Sequence, residues 1–258
     1  MIDEADYARF LVRRREEILE RIGAAAARAG RDAGEVGAIA VSKTVSEREV
    51  LLARRAGWDA FGENRPQELV RKTEALSGEP EMAGVRFDMI GNLQKNKINQ
   101  VLGRADLIHS ISSSPLAEAV STRSAARSLV SDVLLEVNVS GEASKSGFAP
   151  DDLRAEVERV VGLPGIRVRG LMTMAPAGDA DAARRTFCGL RELAEELRAR
   201  TGLSLEVLSC GMSDDFELAV EEGSTLVRLG RCVFDQGYAL RATTWQRAPE
   251  GRGEKEGT

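Results

Sequence analysis

The chain has 258 residues, 43% of them hydrophobic, and a net charge of −5 with acidic and basic residues interspersed. That length holds one large α/β domain or two small ones, and the mixed charge gives no electrostatic footprint for nucleic acid. A single histidine, His109, excludes His-based metal sites and most His triads. The three cysteines, Cys188, Cys210 and Cys232, lack any CxxC or zinc spacing and read as free thiols in a reducing cytoplasm.

Residues 3–29 predict a long helix, with Tyr7, Leu11, Ile18 and Ile22 at helical spacing and Gly30 as a stop. The charges in this stretch leave no secretory apolar core, and no apolar run in the chain approaches the roughly 20 residues of a membrane span. The expectation is a soluble cytoplasmic protein without a membrane partner. Residues 36–43 follow, apolar or glycine until Ser42 and Lys43, and read as a strand buried on both faces. Ser46 with Glu49 three residues later is a capping-box pattern, opening a helix that runs to about Ala56 and stops at Gly57.

The alternation then repeats. Strands are predicted at 59–63, 85–91, 106–112, 132–139, 166–173, 205–210 and 225–230. Helices are predicted at 66–76, 95–102, 115–129, 150–161, 179–200, 214–222 and 232–241. Eight βα units joined by short connections match the count and size of a (β/α)8 TIM barrel, here a single α/β barrel over 1–245 with an extra N-terminal helix. A doubly wound open sheet is the alternative. Residues 246–258 are polar, Gly-rich and charged, and read as a disordered tail.

In a barrel the strand C-terminal ends meet on one face, which carries the chemistry. Those ends supply Lys43, then Glu63 and Asn64, Gly91 and Asn92, His109 and Ser110, Asn138 and Ser140, Met172 and Thr173, Gly211 to Ser213, and finally Arg228 and Gly230. A partly desolvated lysine at such an end can lose its proton and form a Schiff base, and the alternative reading is a solvated loop lysine. After strands seven and eight, Ser213 reads as a helix N-cap, and Gly230 permits close backbone approach at the start of the next helix. Two helix N-termini aimed at one spot suit an anion, although Asp214 and Asp215 oppose it unless they face solvent. A lysine plus a phosphate cradle is what pyridoxal 5′-phosphate (PLP) requires, an aldehyde to bind and a phosphate to anchor. His109 is read as a hydrogen-bonded core group rather than a general base, Lys145 equally as a lysine approaching the phosphate face or as a solvated loop lysine, and Met172, Met174 and Met212 as packing residues.

Motifs in order along the chain carry a family resemblance. They are Ala40-Val-Ser-Lys-Thr44, Phe61-Gly-Glu-Asn-Arg-Pro-Gln-Glu68, Ile90-Gly-Asn-Leu-Gln-Lys-Asn-Lys97, Ile108-His-Ser-Ile-Ser112, Ser144-Lys-Ser-Gly147, Gly170-Leu-Met-Thr-Met174, Leu208-Ser-Cys-Gly-Met-Ser-Asp-Asp215 and Val227-Arg-Leu-Gly230. From about residue 10 to 240 the chain resembles the pyridoxal phosphate homeostasis proteins, which are similar to the barrel domain of alanine racemase. The resemblance implies that Lys43 is the Schiff-base lysine and that Asn64 lies beside the cofactor ring. It puts Ser213, Gly230 and the backbone of Arg231 in the phosphate cradle, and Arg228 facing the pyridine nitrogen. A cation there cannot accept the ring proton, which leaves the ring a poorer electron sink. Racemases of this kind also use a tyrosine from a second domain, and the two tyrosines here, Tyr7 and Tyr238, fall on predicted outer helices.

The implied function is a monomeric carrier or buffer of PLP with little catalysis, PLP-requiring apo-enzymes being candidate recipients. The rivals are a PLP-dependent amino-acid racemase using Lys43 as base, and a barrel that binds no cofactor. Three departures from the family pattern stand out. Asp88 or Met89 and Asn92 occupy positions where it commonly has histidine, Arg231 replaces a small hydroxyl residue, and Asp235 replaces a glycine.

Overall fold

The computed structural model describes residues 3–240. The predicted tail at 246–258 lies outside them. The strands are β1 (Gly37–Val41), β2 (Ala60–Glu63), β3 (Arg86–Met89), β4 (Leu107–Ile111), β5 (Ser131–Glu136), β6 (Ile166–Met172), β7 (Val207–Ser209) and β8 (Leu226–Leu229). The helices are α1 (Glu4–Arg28), α2 (Glu47–Arg55), α3 (Pro66–Leu76), α4 (Ile98–Val101), α5 (Ser114–Ala125), α6 (Pro150–Val161), α7 (Ala180–Thr201), α8 (Phe216–Glu221) and α9 (Arg231–Phe234).

All eight strands run parallel in sequence order and close into a barrel. Closure is made by β1 pairing with β8, with Ala38 opposite Val227 and Ala40 opposite Leu229. The open doubly wound sheet is therefore excluded, and the molecule is a TIM barrel with α1 in front.

Strand alternation sorts the apolar residues into two cores. Ile39, Ala60, Leu107, Leu134, Met172 and Leu226 fill the barrel interior. Their neighbours on the opposite strand faces, such as Ala40, Phe61, Ile108, Val133, Leu135 and Val227, pack outward against the helices.

Helix α1 starts at Asp3, whose side chain accepts from the Ala5 amide, and buries Tyr7, Phe10, Leu11, Ile18, Ile22, Ala25 and Ala26. Full burial of a Leu or Ile contributes roughly 1.5–3 kcal/mol, so this stripe anchors the helix. Its polar groups bind the last βα unit. Tyr7 donates to the Phe234 carbonyl at 3.0 Å, and Arg14 donates to the Cys232 and Tyr238 carbonyls at 2.9 and 3.0 Å.

Local signals were obeyed where they were strong. Ser46 and Glu49 form the full capping box on α2, and α3 and α6 begin at prolines that fit the first turn. Several predicted helices are shorter, α4, α5, α8 and α9 among them. Helix α5 ends at Ala125 because Ser128 takes a left-handed conformation (φ 56°) and Leu129 turns back to bond the Ser124 carbonyl. The final helix is one turn, Arg231–Phe234, and the chain beyond it folds back under α1.

Candidate functional site

Lys43 follows β1 in a turn closed by the Val45 amide bonding the Ser42 carbonyl. The side chain is exposed and has no ion pair or hydrogen bond among the described residues. The partial desolvation expected of it is not realised, since the side chain is exposed. The preceding residue, by contrast, is fastened from below. Ser42 Oγ donates to Glu63 Oε1 at 2.6 Å, and Lys72 Nζ bonds both the Ser42 carbonyl and Glu63 Oε1, the latter at 2.6 Å. Glu63 and Lys72 are fully buried. Sequence reasoning missed Lys72. The available signal was its place between Leu69 and Leu76 on the buried stripe of α3.

Asn64 continues from β2 and is half-buried. It lies against the end of β3 so closely that a Cβ at Gly91 would stand 2.2 Å from the Asn64 carbonyl oxygen. Glycine is the residue that permits this contact.

Ser213 does not cap α8. Asp215 closes that turn, its Oδ1 accepting from the Met212 amide at 2.6 Å, so the helix begins later, at Phe216. The Ser213 hydroxyl instead reaches the next loop and accepts from the Gly230 and Cys232 amides at 3.3 and 3.2 Å. It thereby staples the two turns that follow β7 and β8. Gly211 makes the first turn possible, with φ +92° and a hypothetical Cβ only 2.6 Å from Ala219 Cβ. Among the described residues, the amides of Ser213, Asp214 and Arg231 have no hydrogen-bond acceptor. The two helices are too short to bring much macrodipole to bear, so any anion here would be held by individual amides.

Gly230 stands beside β1. A Cβ there would meet Val41 at ordinary contact distances of 3.5 Å and more, so no protein group fills that space. The Arg231 side chain, in contrast, is engaged elsewhere. It pairs with Asp214 and lies over the Tyr238 ring, its guanidinium carbon 5.5 Å from the centroid. Both members of the ion pair are about two-thirds exposed, at 65% and 64%, so Asp214 faces solvent. Asp215 sits under the loop, and burial raises its carboxyl pKa. Tyr238 is not on an outer helix as predicted, since α9 has ended. Its hydroxyl donates to the Ser213 carbonyl at 2.9 Å and bonds Asp214. Met172 packs inside the barrel as expected, whereas Met212 is 38% exposed.

Arg228 points into the barrel from β8 and is almost wholly buried. Its Nη1 donates to the Ser209 carbonyl at 2.7 Å and to Ser209 Oγ at 2.6 Å, and its Nη2 donates to the Thr173 carbonyl at 3.1 Å. Behind it, His109 Nδ1 is 3.0 Å from Ser209 Oγ and His109 Nε2 is 3.1 Å from Asp88 Oδ2. Burial lowers the His109 pKa, with Asp88 acting against that shift and Arg228 with it. His109 is thus a bonded core group. Asp88 is its partner. Glu136 also lies near Arg228, and burial raises its pKa while the guanidinium lowers it. No group of His, Cys, Asp or Glu among the described residues could hold a metal ion.

These parts define a class: an α/β barrel whose C-terminal face gathers a lysine free of partners, unpaired loop amides and a buried arginine, a set suited to a phosphorylated carbonyl compound. The chain belongs to the alanine racemase N-terminal domain family, whose profile matches residues 16–236, and within it to the pyridoxal phosphate homeostasis proteins. It is 39% identical over 224 residues to the pyridoxal phosphate homeostasis protein of Aquifex aeolicus, covering 86% of this chain and 96% of that one. The crystal structure of an unknown protein from Bifidobacterium adolescentis superposes with a TM-score of 0.85 at 40% identity, over 91% of this chain and 98% of that one. PipY from Synechococcus elongatus with PLP bound superposes with a TM-score of 0.73 at 34% identity, over 84% of this chain and 99% of that one. No helix among the described residues is long and apolar enough to cross a membrane.

Proposed function

We propose that this protein binds PLP in the C-terminal mouth of the barrel and serves as a carrier or buffer in PLP homeostasis. In this reading Lys43 holds the cofactor aldehyde as a Schiff base. Asn64 lies beside the ring, and Ser213, Gly230 and the Arg231 backbone take the phosphate. Arg228 faces the ring nitrogen. When bound, PLP supplies an electrophilic imine and a conjugated ring that can act as an electron sink.

The observation that carries the reading is the juxtaposition on one barrel face of a lysine and three amides that have no partner among the described residues, in a chain that belongs to this family. A phosphate dianion needs charge-assisted donors, and backbone amides supply them without a positively charged side chain. Arg231 contributes through its amide, because its guanidinium is held by Asp214.

Low catalytic power follows from two further features. A guanidinium only donates hydrogen bonds, so Arg228 leaves the ring nitrogen unprotonated and the electron sink weak. Both tyrosine hydroxyls are committed to protein acceptors, Tyr7 to the Phe234 carbonyl and Tyr238 to the Asp214 carboxylate and the Ser213 carbonyl, between which it shares its proton, so neither is a free second base. The protein then works in the cytoplasm as a monomer that passes PLP to apo-enzymes requiring it.

The test is a visible spectrum of the purified protein with PLP, borohydride reduction, and mass-spectrometric mapping of the modified residue. A yellow chromophore that borohydride bleaches, leaving a reduced adduct on Lys43, supports the reading, and an adduct on another residue or none overturns it. Rapid, saturable racemisation of alanine or serine that vanishes in Lys43→Ala would replace the carrier with a racemase.

A further inference from the structure

We propose that Asp88, His109 and Ser209 are positioning residues that orient Arg228, and with it the donor presented to a ligand in the barrel mouth. This rests on the reading of Arg228 as the group facing the cofactor ring.

The four residues come from β3, β4, β7 and β8 and form one hydrogen-bonded line across the barrel interior. The chemistry of the groups assigns every proton in it. A guanidinium can only donate, so Ser209 Oγ accepts from Arg228 Nη1. The hydroxyl has one proton, and the imidazole Nδ1 at 3.0 Å is the acceptor for it. Nδ1 is therefore bare, and the ring proton resides on Nε2, where it is donated to the Asp88 carboxylate.

A doubly protonated imidazole would break this order. Its Nδ1–H would point at a hydroxyl already receiving an arginine N–H, and the hydroxyl proton would be left over. The surroundings favour the neutral ring. Burial and the Arg228 cation both disfavour a charged imidazole, while Asp88 alone opposes them. Arg86, whose Nε is 3.2 Å from Asp88 Oδ1, shares the negative charge of that carboxylate. Glu136 acts on Arg228 from β5.

The consequence falls on Arg228. Three of its five N–H groups go to Ser209 O, Ser209 Oγ and Thr173 O. A hydroxyl that donates into an imidazole is itself a better acceptor, so the line from Asp88 strengthens the grip on Nη1. The plane of the guanidinium is thereby locked, and its remaining donors keep one direction.

The experiment uses the chain's only histidine, whose ring signals need no assignment. In the full-length protein, nitrogen–proton correlation spectra of the imidazole should show the Nε2–H tautomer, unchanged from about pH 6 to 8 although a free imidazole titrates in that range. An Nδ1–H pattern, or ordinary titration, overturns the proposal. In Asp88→Asn the tautomer signature should change. In Ser209→Ala, the smallest cut in the line, the visible band of the PLP complex should shift and PLP affinity should fall about tenfold, as for one hydrogen bond to a charged group. An unchanged band and affinity in folded Ser209→Ala overturns the coupling. If Asp88→Asn does not fold, Ser209→Ala and the wild-type spectra still decide. A wild type that gives no chromophore with PLP defeats the cofactor reading. The proton order is then judged from the ring signals alone.

Discussion

Lys72 Nζ lies 2.6 Å from Glu63 Oε1 with neither side chain exposed to solvent, and both bond Ser42, the residue before Lys43. A buried pair of this kind places opposite charges where each depends on the other. Lys72→Met should destabilise the protein by about 3–5 kcal/mol, because it leaves the Glu63 carboxylate buried and uncompensated. Adding Glu63→Gln should recover much of that loss. Urea unfolding of the two variants measures both effects, and a single mutant as stable as wild type would refute the ionic pairing.

Lys43 itself has no partner among the described residues, so its removal should separate binding from stability. Lys43→Ala is expected to shift unfolding by no more than about 0.5 kcal/mol, the usual range for an exposed side chain away from packing features. The borohydride-trapped adduct should disappear. A large loss of stability in the absence of cofactor would mean that the lysine has a structural role.

Gly91 is constrained by the backbone of Asn64. Gly91→Ala puts a methyl group 2.2 Å from the Asn64 carbonyl oxygen, and one of the two must move. Overpacking of this order costs about 1–3 kcal/mol. Because the displaced residue is the one assigned beside the cofactor ring, PLP titration should show weaker binding in the same variant. Wild-type unfolding together with wild-type affinity would contradict the tight contact.

The His109 ring should leave a signature in the pH dependence of stability. Its folded-state pKa is lowered by burial from the ordinary value of 6.5. Between the folded value and 6.5 the unfolded chain binds more protons, so stability rises with pH through that window. It is lost as pH falls below about 6.5, by up to about 1.4 kcal/mol per pH unit. The carboxyl groups of Asp106, Glu136 and Asp215 have raised pKa values and the opposite slope, since their folded states retain protons longer. Subtracting the unfolding curves of His109→Gln from wild type cancels those terms. A flat difference between pH 5 and 7 would show that the ring is not held neutral.

The linear chain by itself determined the order of elements. Short continuous apolar runs, the Ser46–Glu49 box and prolines at helix starts are local instructions that act within a few residues. They placed Lys43 at the end of the first strand and Arg228 in the eighth. Helix ends were less legible where a turn such as the one at Ser128 had to form, or where the chain past Phe234 was recruited by α1.

The tertiary structure decided which side chains meet. Barrel closure sets β8 against β1 and brings Gly230 beside Val41, a relation between residues almost the whole chain apart. Alternation along β3, β4, β7 and β8 says which side chains face inward, but not that Asp88, His109, Ser209 and Arg228 lie at one level, because that depends on the stagger of the strands. Ser213 shows the same limit. Its sequence suited a helix cap, yet the cap position fell later, and its hydroxyl bonds amides in the loop after β8, which only closure of the barrel brings within reach.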